Sequence, residues 1–237
     1  MDYNLIYTTD ALRDYLVDAS VIAFDFETAP DDAWRDEPKA ALDAHKSHIV
    51  GVSISVSEGT AVYLPFAHKI GENVQSRDEM LQYLTAAVFE NPSIVKVTHN
   101  LSFEAMFLYA LGIVVCEPCY DTIAAAQLTL KSKFEFRSLS DSGLKLLATS
   151  LFGADMPDFN TVTAGRHFDE MNPADYETLR YACADSDYTL RLYYKFNSWF
   201  GSNIRQHRDI VERVESPTAV YCGMMKYNGV PMDTAAM

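Results

Sequence analysis

Short apolar, β-favouring runs separated by polar turns occupy the first half of the chain, and helical spacing of apolar residues takes over afterwards. Val21 to Thr28 reads as a first strand, His48 to Val56 as an alternating second and Thr60 to Pro65 as a third, with Ser57-Glu58-Gly59 as a hairpin turn between the last two. The charged segment Asp31 to Lys46 between the first two strands suits a loop with some helix. Apolar residues at 80, 81, 84, 87 and 88 predict a helix over Asp78 to Phe89, stopped by Asn91-Pro92. Ile94 to Thr98 is then a fourth strand, Ser102 caps a helix running to Leu111, and Ile113 to Val115 is a short fifth strand. The order β-β-β-α-β-α-β followed by helices predicts an α/β fold, a mixed five-stranded sheet flanked by helices.

The remainder is mostly helical. Asp175 to Phe200 predicts one long helix, with Gly201-Ser202-Asn203 as its break and a second helix over Ile204 to Tyr227 before the Asn228-Gly229 turn. No internal repeat or low-complexity segment interrupts this pattern.

Composition narrows the class. In 237 residues, 49% hydrophobic and 12% aromatic content can build a sizeable core, enough for one full domain with an appendage or for two small ones. No apolar run reaches membrane-spanning length, and Met1-Asp2-Tyr3-Asn4 does not begin a signal peptide, so a soluble intracellular chain with no membrane partner is expected. The four cysteines, Cys116, Cys119, Cys183 and Cys222, are too few and irregular for a disulfide framework, so no disulfide partner is expected. Cys116-Glu-Pro-Cys119 has zinc-ligand spacing but no companion pair, and two small buried thiols near a turn explain it better. The net charge of -14 excludes a broad basic footprint on duplex DNA. It leaves room for a site that recruits a few terminal nucleotides through divalent ions held by carboxylates.

Three places carry candidate chemistry. Asp25 and Glu27, two apart, project from one face of the first strand as a metal-holding pair, or else the strand ends at Phe24 and the two acids sit in a solvated loop. Asn100-Leu-Ser-Phe-Glu104 sits at a strand-to-helix junction, where Glu104 is either a first-turn acid answering the helix dipole or part of a site at the sheet edge. Tyr181 and Asp185 lie four residues apart on one helical face, and the small Ala182, Cys183 and Ala184 allow that face to pack closely on a sheet. Asp in a helix interior is unfavourable and calls for a reason.

Taken together, Asp25-x-Glu27-Thr28, His99-Asn100-x-x-Phe103-Glu104 and Tyr181-x-x-x-Asp185, continuing as Ser-Asp-Tyr-Thr-Leu190, resemble the three motifs of the DEDD 3′-5′ proofreading exonucleases, tyrosine subgroup. The resemblance covers about residues 20 to 200 and extends to Asp121-Thr122 and Gly143 to Leu147. Glu104 departs from the pattern, since the second motif usually carries Asp, and Phe103 stands where Tyr is common. Glu215-Ser-Pro217 and Gly223 to Asp233 are similar to the segment that opens the polymerase region of family A DNA polymerases, relatives of bacterial DNA polymerase I.

The resemblance implies a ribonuclease H-like exonuclease domain over residues 1–200 and, over 201–237, a helical extension leading toward a polymerase domain of a larger chain, phage or bacterial, in the cytoplasm of a bacterial cell or an infected host. It implies two Mg²⁺ or Mn²⁺ ions, with Asp25 shared by both, Glu27 and Asp185 completing one site, Glu104 serving the other, and Tyr181 positioning the attacking water. Thr28, Asn100 and Phe103 are implied contacts to the terminal nucleotide of a single-stranded or frayed DNA 3′ end. The alternatives are an exoribonuclease of the same superfamily and a weakly active single-strand-binding or structural module of a polymerase.

Overall fold

The computed structural model describes residues 1–130, 142–203 and 205–231. Among them the strands are β1 (Asp2–Leu5), β2 (Val21–Pro30), β3 (Ser47–Ser55), β4 (Thr60–Pro65), β5 (Val95–Thr98) and β6 (Cys119–Asp121). They form one sheet in the order β1-β4-β3-β2-β5-β6. The β2-β3-β4 meander is antiparallel, while β1 joins β4, β5 joins β2 and β6 joins β5 in parallel. The sheet is mixed as expected but has six strands, not five.

Three differences account for the count: β1 and β6 are additional strands, and the one expected over 113–115 is absent. Asp2–Leu5 is a short edge strand with half its positions exposed, too weakly patterned to announce itself. Ile113 to Val115 is not a strand: Gly112 takes a positive φ of 78°, and the Ile113 N–H returns to the Leu108 carbonyl at 2.9 Å, closing the preceding helix. Its apolar residues serve the core, where Val115 is buried, and the ladder resumes only at Cys119.

The helices are α1 (Thr9–Tyr15), α2 (Arg77–Leu84), α3 (Leu101–Ala110), α4 (Thr122–Leu130), α5 (Leu144–Phe152), α6 (Phe159–Thr163), α7 (Tyr176–Asn203), α8 (Arg205–Ile210) and α9 (Ser216–Asn228). Alternation along β2 sends Ile22, Phe24 and Phe26 to the face covered by α2 and α3, where Phe24 and Phe26 pack on Phe89 with centroids 5.1 and 6.2 Å away. Ala23 faces the opposite layer with Leu190, Leu192 and Phe196 of α7. Helices therefore cover both faces of the central strand.

α7 runs through Gly201 without interruption, because one glycine costs only about 1 kcal/mol and cannot outweigh a long packed helix. The expected start of the next helix at Ile204 lies outside the described residues, as do Met232 and Asp233. That helix is divided: a widened turn over Val211–Glu215 separates α8 from α9 just before Pro217, which cannot donate to a preceding carbonyl. Ser102 does not cap α3. Asn100 occupies the cap position with φ 87°, and the Asp121 carboxylate on neighbouring β6 accepts the Asn100 and Leu101 N–H groups at 3.1 and 3.0 Å.

Two further contacts tie the layers together. Buried Asp187 accepts from the Tyr3 hydroxyl, the Gly59 N–H and the Arg191 guanidinium, joining β1 and the hairpin to α7. At Gly223, α9 meets α3 so closely that an added Cβ would lie 2.6 Å from the Ser102 carbonyl oxygen and 2.8 Å from the Met106 nitrogen. Ser216 Oγ also accepts the Asp121 N–H at 2.9 Å. All four cysteines are free thiols. Among the described residues, no helix is long and apolar enough to cross a membrane.

Backbone atoms of α3 cannot yield as a side chain can, so Gly223→Val is expected to lower stability by about 1–3 kcal/mol or more. A thermal melt checks this, and an unchanged midpoint would mean that α9 does not pack against α3 in solution.

Candidate metal centre

Asp25 and Glu27 leave β2 on the face opposite Phe24 and Phe26, where α7 crosses the sheet. The β2-β3 register shifts between Glu27 and Thr28, a bulge of the kind that re-aims side chains beside functional sites. On α7, Ala182, Cys183 and Ala184 are buried and small, and they bring the helix close enough for Asp185 to meet the strand acids. Ligand oxygens of Asp25, Glu27 and Asp185 all lie within 4.8 Å of one another. Glu104 stands outside that trio but lines the same cleft, reaching it from α3 on the other side of the sheet. Its carboxylate is buried and accepts the Phe26 N–H.

Burial and mutual repulsion dominate the electrostatics. The Asp25 carboxyl is pushed well above the usual range by burial and then by Asp185, and Glu27 by burial, Asp25 and Asp185. Glu104 rises through burial and the Asp25 charge, with the Phe26 N–H partly offsetting them. Burial raises Asp185 from an ordinary 3.8 to about 6. Lys145 is the opposing charge, drawing Asp25, Glu27 and Asp185 back down. Tyr181 is raised by burial and by Glu27, Asp185 and Asp25, so its phenol stays protonated at neutral pH and can donate.

These acids open into a cleft of about 500 Å³, a size suited to a small ligand or a terminal nucleotide. Tyr181 lines it, its ring packed edge-on against Phe159 at 5.8 Å and tilted against Phe168 at 5.6 Å. Phe103 and Thr28 also line it, but the Thr28 hydroxyl donates to the Ala41 carbonyl at 2.7 Å and so fixes the wall formed by Lys39 to Leu42. Asn100 is not among the lining residues, and its Oδ1 accepts from Ser102. His99 lines the cleft with Nδ1 against Thr122 Oγ1, and burial lowers it to about 4, so it is neutral. Phe159, His167 and Lys39 carry no motif, and only the folding of the segments that bear them places them here. Lys145, from the Gly143 to Leu147 segment, holds its ammonium 4.5 Å from the Tyr181 ring centroid.

Hard oxygen donors suit Mg²⁺, Mn²⁺ or Ca²⁺ rather than softer ions. One oxygen each of Glu27, Glu104 and Asp185 is buried without a hydrogen-bond partner, a costly state that a divalent cation relieves. The residues present therefore fit a divalent metal.

A mixed α/β sheet with an acidic cleft on its central strand, lined by a tyrosine and an aspartate from one helix, has the arrangement of a DEDD-type nuclease domain. The sequence model of the 3′-5′ exonuclease family of A-type DNA polymerases matches residues 3–199, and the chain belongs to that family. It is 29% identical over 204 residues to DNA polymerase I of Chloroflexus aurantiacus, covering 84% of this chain and 20% of the relative. It is 28% identical over 208 residues to DNA polymerase I of Pseudomonas aeruginosa, covering 81% and 20%. The chain thus spans about a fifth of the length of these curated relatives. In fold it is similar to Brucella melitensis NrnC with bound Mg²⁺, at TM-score 0.64 and 18% identity over 98% of this chain and 96% of that one. Escherichia coli RNase D, an exoribonuclease involved in structured RNA processing, also superposes at TM-score 0.64 and 17% identity, over 97% of this chain and 52% of that one.

A raised acid makes the folded state bind more protons than the unfolded chain. Its stabilising effect is complete below the unfolded value near 3.8 and is lost as pH rises through about 6 for Asp185, with the other three acids acting in the same direction. In metal-free buffer the melting temperature, relative to Asp185→Asn, is expected to fall as pH rises from about 4 through about 6, and saturating Mg²⁺ or Mn²⁺ restores it. Parallel melting curves for the two proteins, insensitive to metal, would contradict the electrostatics described.

Proposed function

We propose that the chain is a metal-dependent 3′-5′ exonuclease that removes nucleotides from single-stranded or frayed DNA 3′ ends, as the proofreading domain of a family A DNA polymerase. The observation that carries this reading is the convergence of Asp25, Glu27 and Asp185 within 4.8 Å, with Glu104 and Tyr181 lining the same cleft. Two Mg²⁺ or Mn²⁺ ions, when bound, supply a water nucleophile at neutral pH and neutralise charge on the departing oxygen. Asp25, Glu27 and Asp185 would hold one ion, and Glu104, which lines the same cleft, would serve the second together with Asp25, its longer arm standing in for the usual Asp.

The protein's own groups do the remaining work. Tyr181, protonated and held by its aromatic neighbours, donates a hydrogen bond that orients the attacking water. Phe103 offers a face for the terminal base, and the wall pinned by Thr28 bounds its other side. Thr28 therefore acts through the wall it holds more than by gripping the nucleotide, and Asn100 serves at the α3 cap, outside the cleft lining. An acidic cleft favours a strand end whose few phosphates meet bound cations over a long duplex.

Residues 1–200 carry the nuclease chemistry, and 201–237 lead toward a polymerase region, with α9 seated against α3. The DNA polymerase I relatives support that polymerase partner and a cytoplasmic location in a bacterium or a phage-infected host. The fold likeness to RNase D supports a second reading, an exoribonuclease.

Asp25→Ala is expected to reduce release of 3′ mononucleotides by roughly 10³-fold or more with the fold intact, and Tyr181→Phe by about 10²-fold. A labelled oligonucleotide assay reads both, and undiminished turnover by Asp25→Ala would sink the assignment. Matched DNA and RNA strands separate the two substrates: faster cleavage of DNA is the expected result, and faster cleavage of RNA favours the second reading.

A further inference from the structure

Lys145 lies on α5 within the Gly143 to Leu147 segment, and neither the two-ion chemistry nor the motif acids assign it a task. Its half-buried side chain donates from Nζ to the Pro157 carbonyl at 2.6 Å, and the same ammonium sits 4.5 Å from the centroid of the Tyr181 ring. The strand of chain it grips continues into Asp158, which caps α6 through the Thr161 N–H, and Phe159, which packs against Tyr181. Tyr181 is thus held by a cation, by Phe159 and by Phe168. A cation is attracted to the face of a phenol and resists rotation of that ring away from it. The Nζ hydrogen bond goes to a carbonyl and not to a carboxylate, so its charge stays available to Tyr181 and to the acids beyond.

We propose that Lys145 is a positioning residue of the nuclease site: clamped between the Pro157 carbonyl and the Tyr181 ring, it fixes the phenol beside the carboxylates. This rests on the exonuclease reading, in which the Tyr181 hydroxyl orients the attacking water. Lys145 touches neither substrate nor reacting atoms in this role; it acts through Tyr181.

A double-mutant cycle on the full chain tests this. Lys145→Gln, which keeps a donor for the Pro157 carbonyl and removes the cation, is expected to lower kcat by about tenfold or more with KM changed less than about threefold. In a Tyr181→Phe background the same substitution is expected to cost less than about twofold, because the hydroxyl it positions is already gone. Lys145→Arg, which keeps a cation able to lie on the ring, recovers part of the loss. The readout independent of activity is the ¹⁹F resonance of a fluorotyrosine at position 181, expected to shift or broaden on Lys145→Gln. Equal losses in both backgrounds would overturn the proposal, as would wild-type turnover by Lys145→Gln with an unchanged resonance. If Lys145→Gln fails to fold, Lys145→Arg carries the test: a shifted resonance with a partial loss of turnover that shrinks in the Tyr181→Phe background supports the role, and losses equal in the two Tyr181 backgrounds overturn it. An unsubstituted chain that releases no nucleotides would instead remove the exonuclease reading, leaving the resonance to decide whether Lys145 holds Tyr181.

Discussion

Repulsion among carboxylates that share one partly buried cleft is the physical constraint on which this structure turns. Asp25, Glu27 and Asp185 hold ligand oxygens within 4.8 Å, and Glu104 adds a fourth acid against the Phe26 N–H. In a low-dielectric setting such an arrangement raises every carboxyl involved and leaves oxygens unpartnered. The fold tolerates it because each acid sits on a different rigid support: two on the central strand, one on the long helix across the sheet and one on the helix behind it. Divalent cations convert the same repulsion into binding energy, which is why a domain would retain a feature that weakens it without metal.

The rest of the molecule can be understood as bracing. Asp121 caps α3 from the adjacent strand, and α9 presses on α3 at Gly223, fixing the helix that carries Glu104 and Phe103. Asp187, two residues beyond Asp185, ties α7 to β1 and the hairpin. Lys145, Phe159 and Phe168 enclose the Tyr181 ring. The wall over Lys39 to Leu42 is set by the Thr28 hydroxyl and closes the cleft opposite these helices.

Much of this was legible beforehand, for identifiable reasons. The central strand and hairpin announce themselves through alternation and a tight turn, and the acids stand out because a carboxylate at a buried strand end or in a helix interior opposes local preference. Boundaries and edges were less legible. Asp2–Leu5 is a marginal edge strand that pairs with β4, far along the chain, and is tied to α7 by the Tyr3 hydroxyl on Asp187, 184 residues away. Ile113 to Val115 has strand-like residues whose apolar character serves the core and a helix-closing turn instead. The cap of α3 comes from Asp121, 20 residues from Leu101, so the nearby Ser102 misleads. Around the cleft, the motif acids and Tyr181 stood out and Lys145 lay in the Gly143 to Leu147 segment without a role of its own, whereas Phe159 and His167 carried no signal. Their roles arise from tertiary placement, which no local pattern encodes.

The most direct measurement is diffraction from crystals soaked in Mn²⁺, recorded with anomalous signal. Two peaks are expected in the cleft, one held by Asp25, Glu27 and Asp185 and a second between Asp25 and the Glu104 side. A cleft without manganese at saturating concentration, or ions bound only elsewhere on the acidic surface, would contradict this.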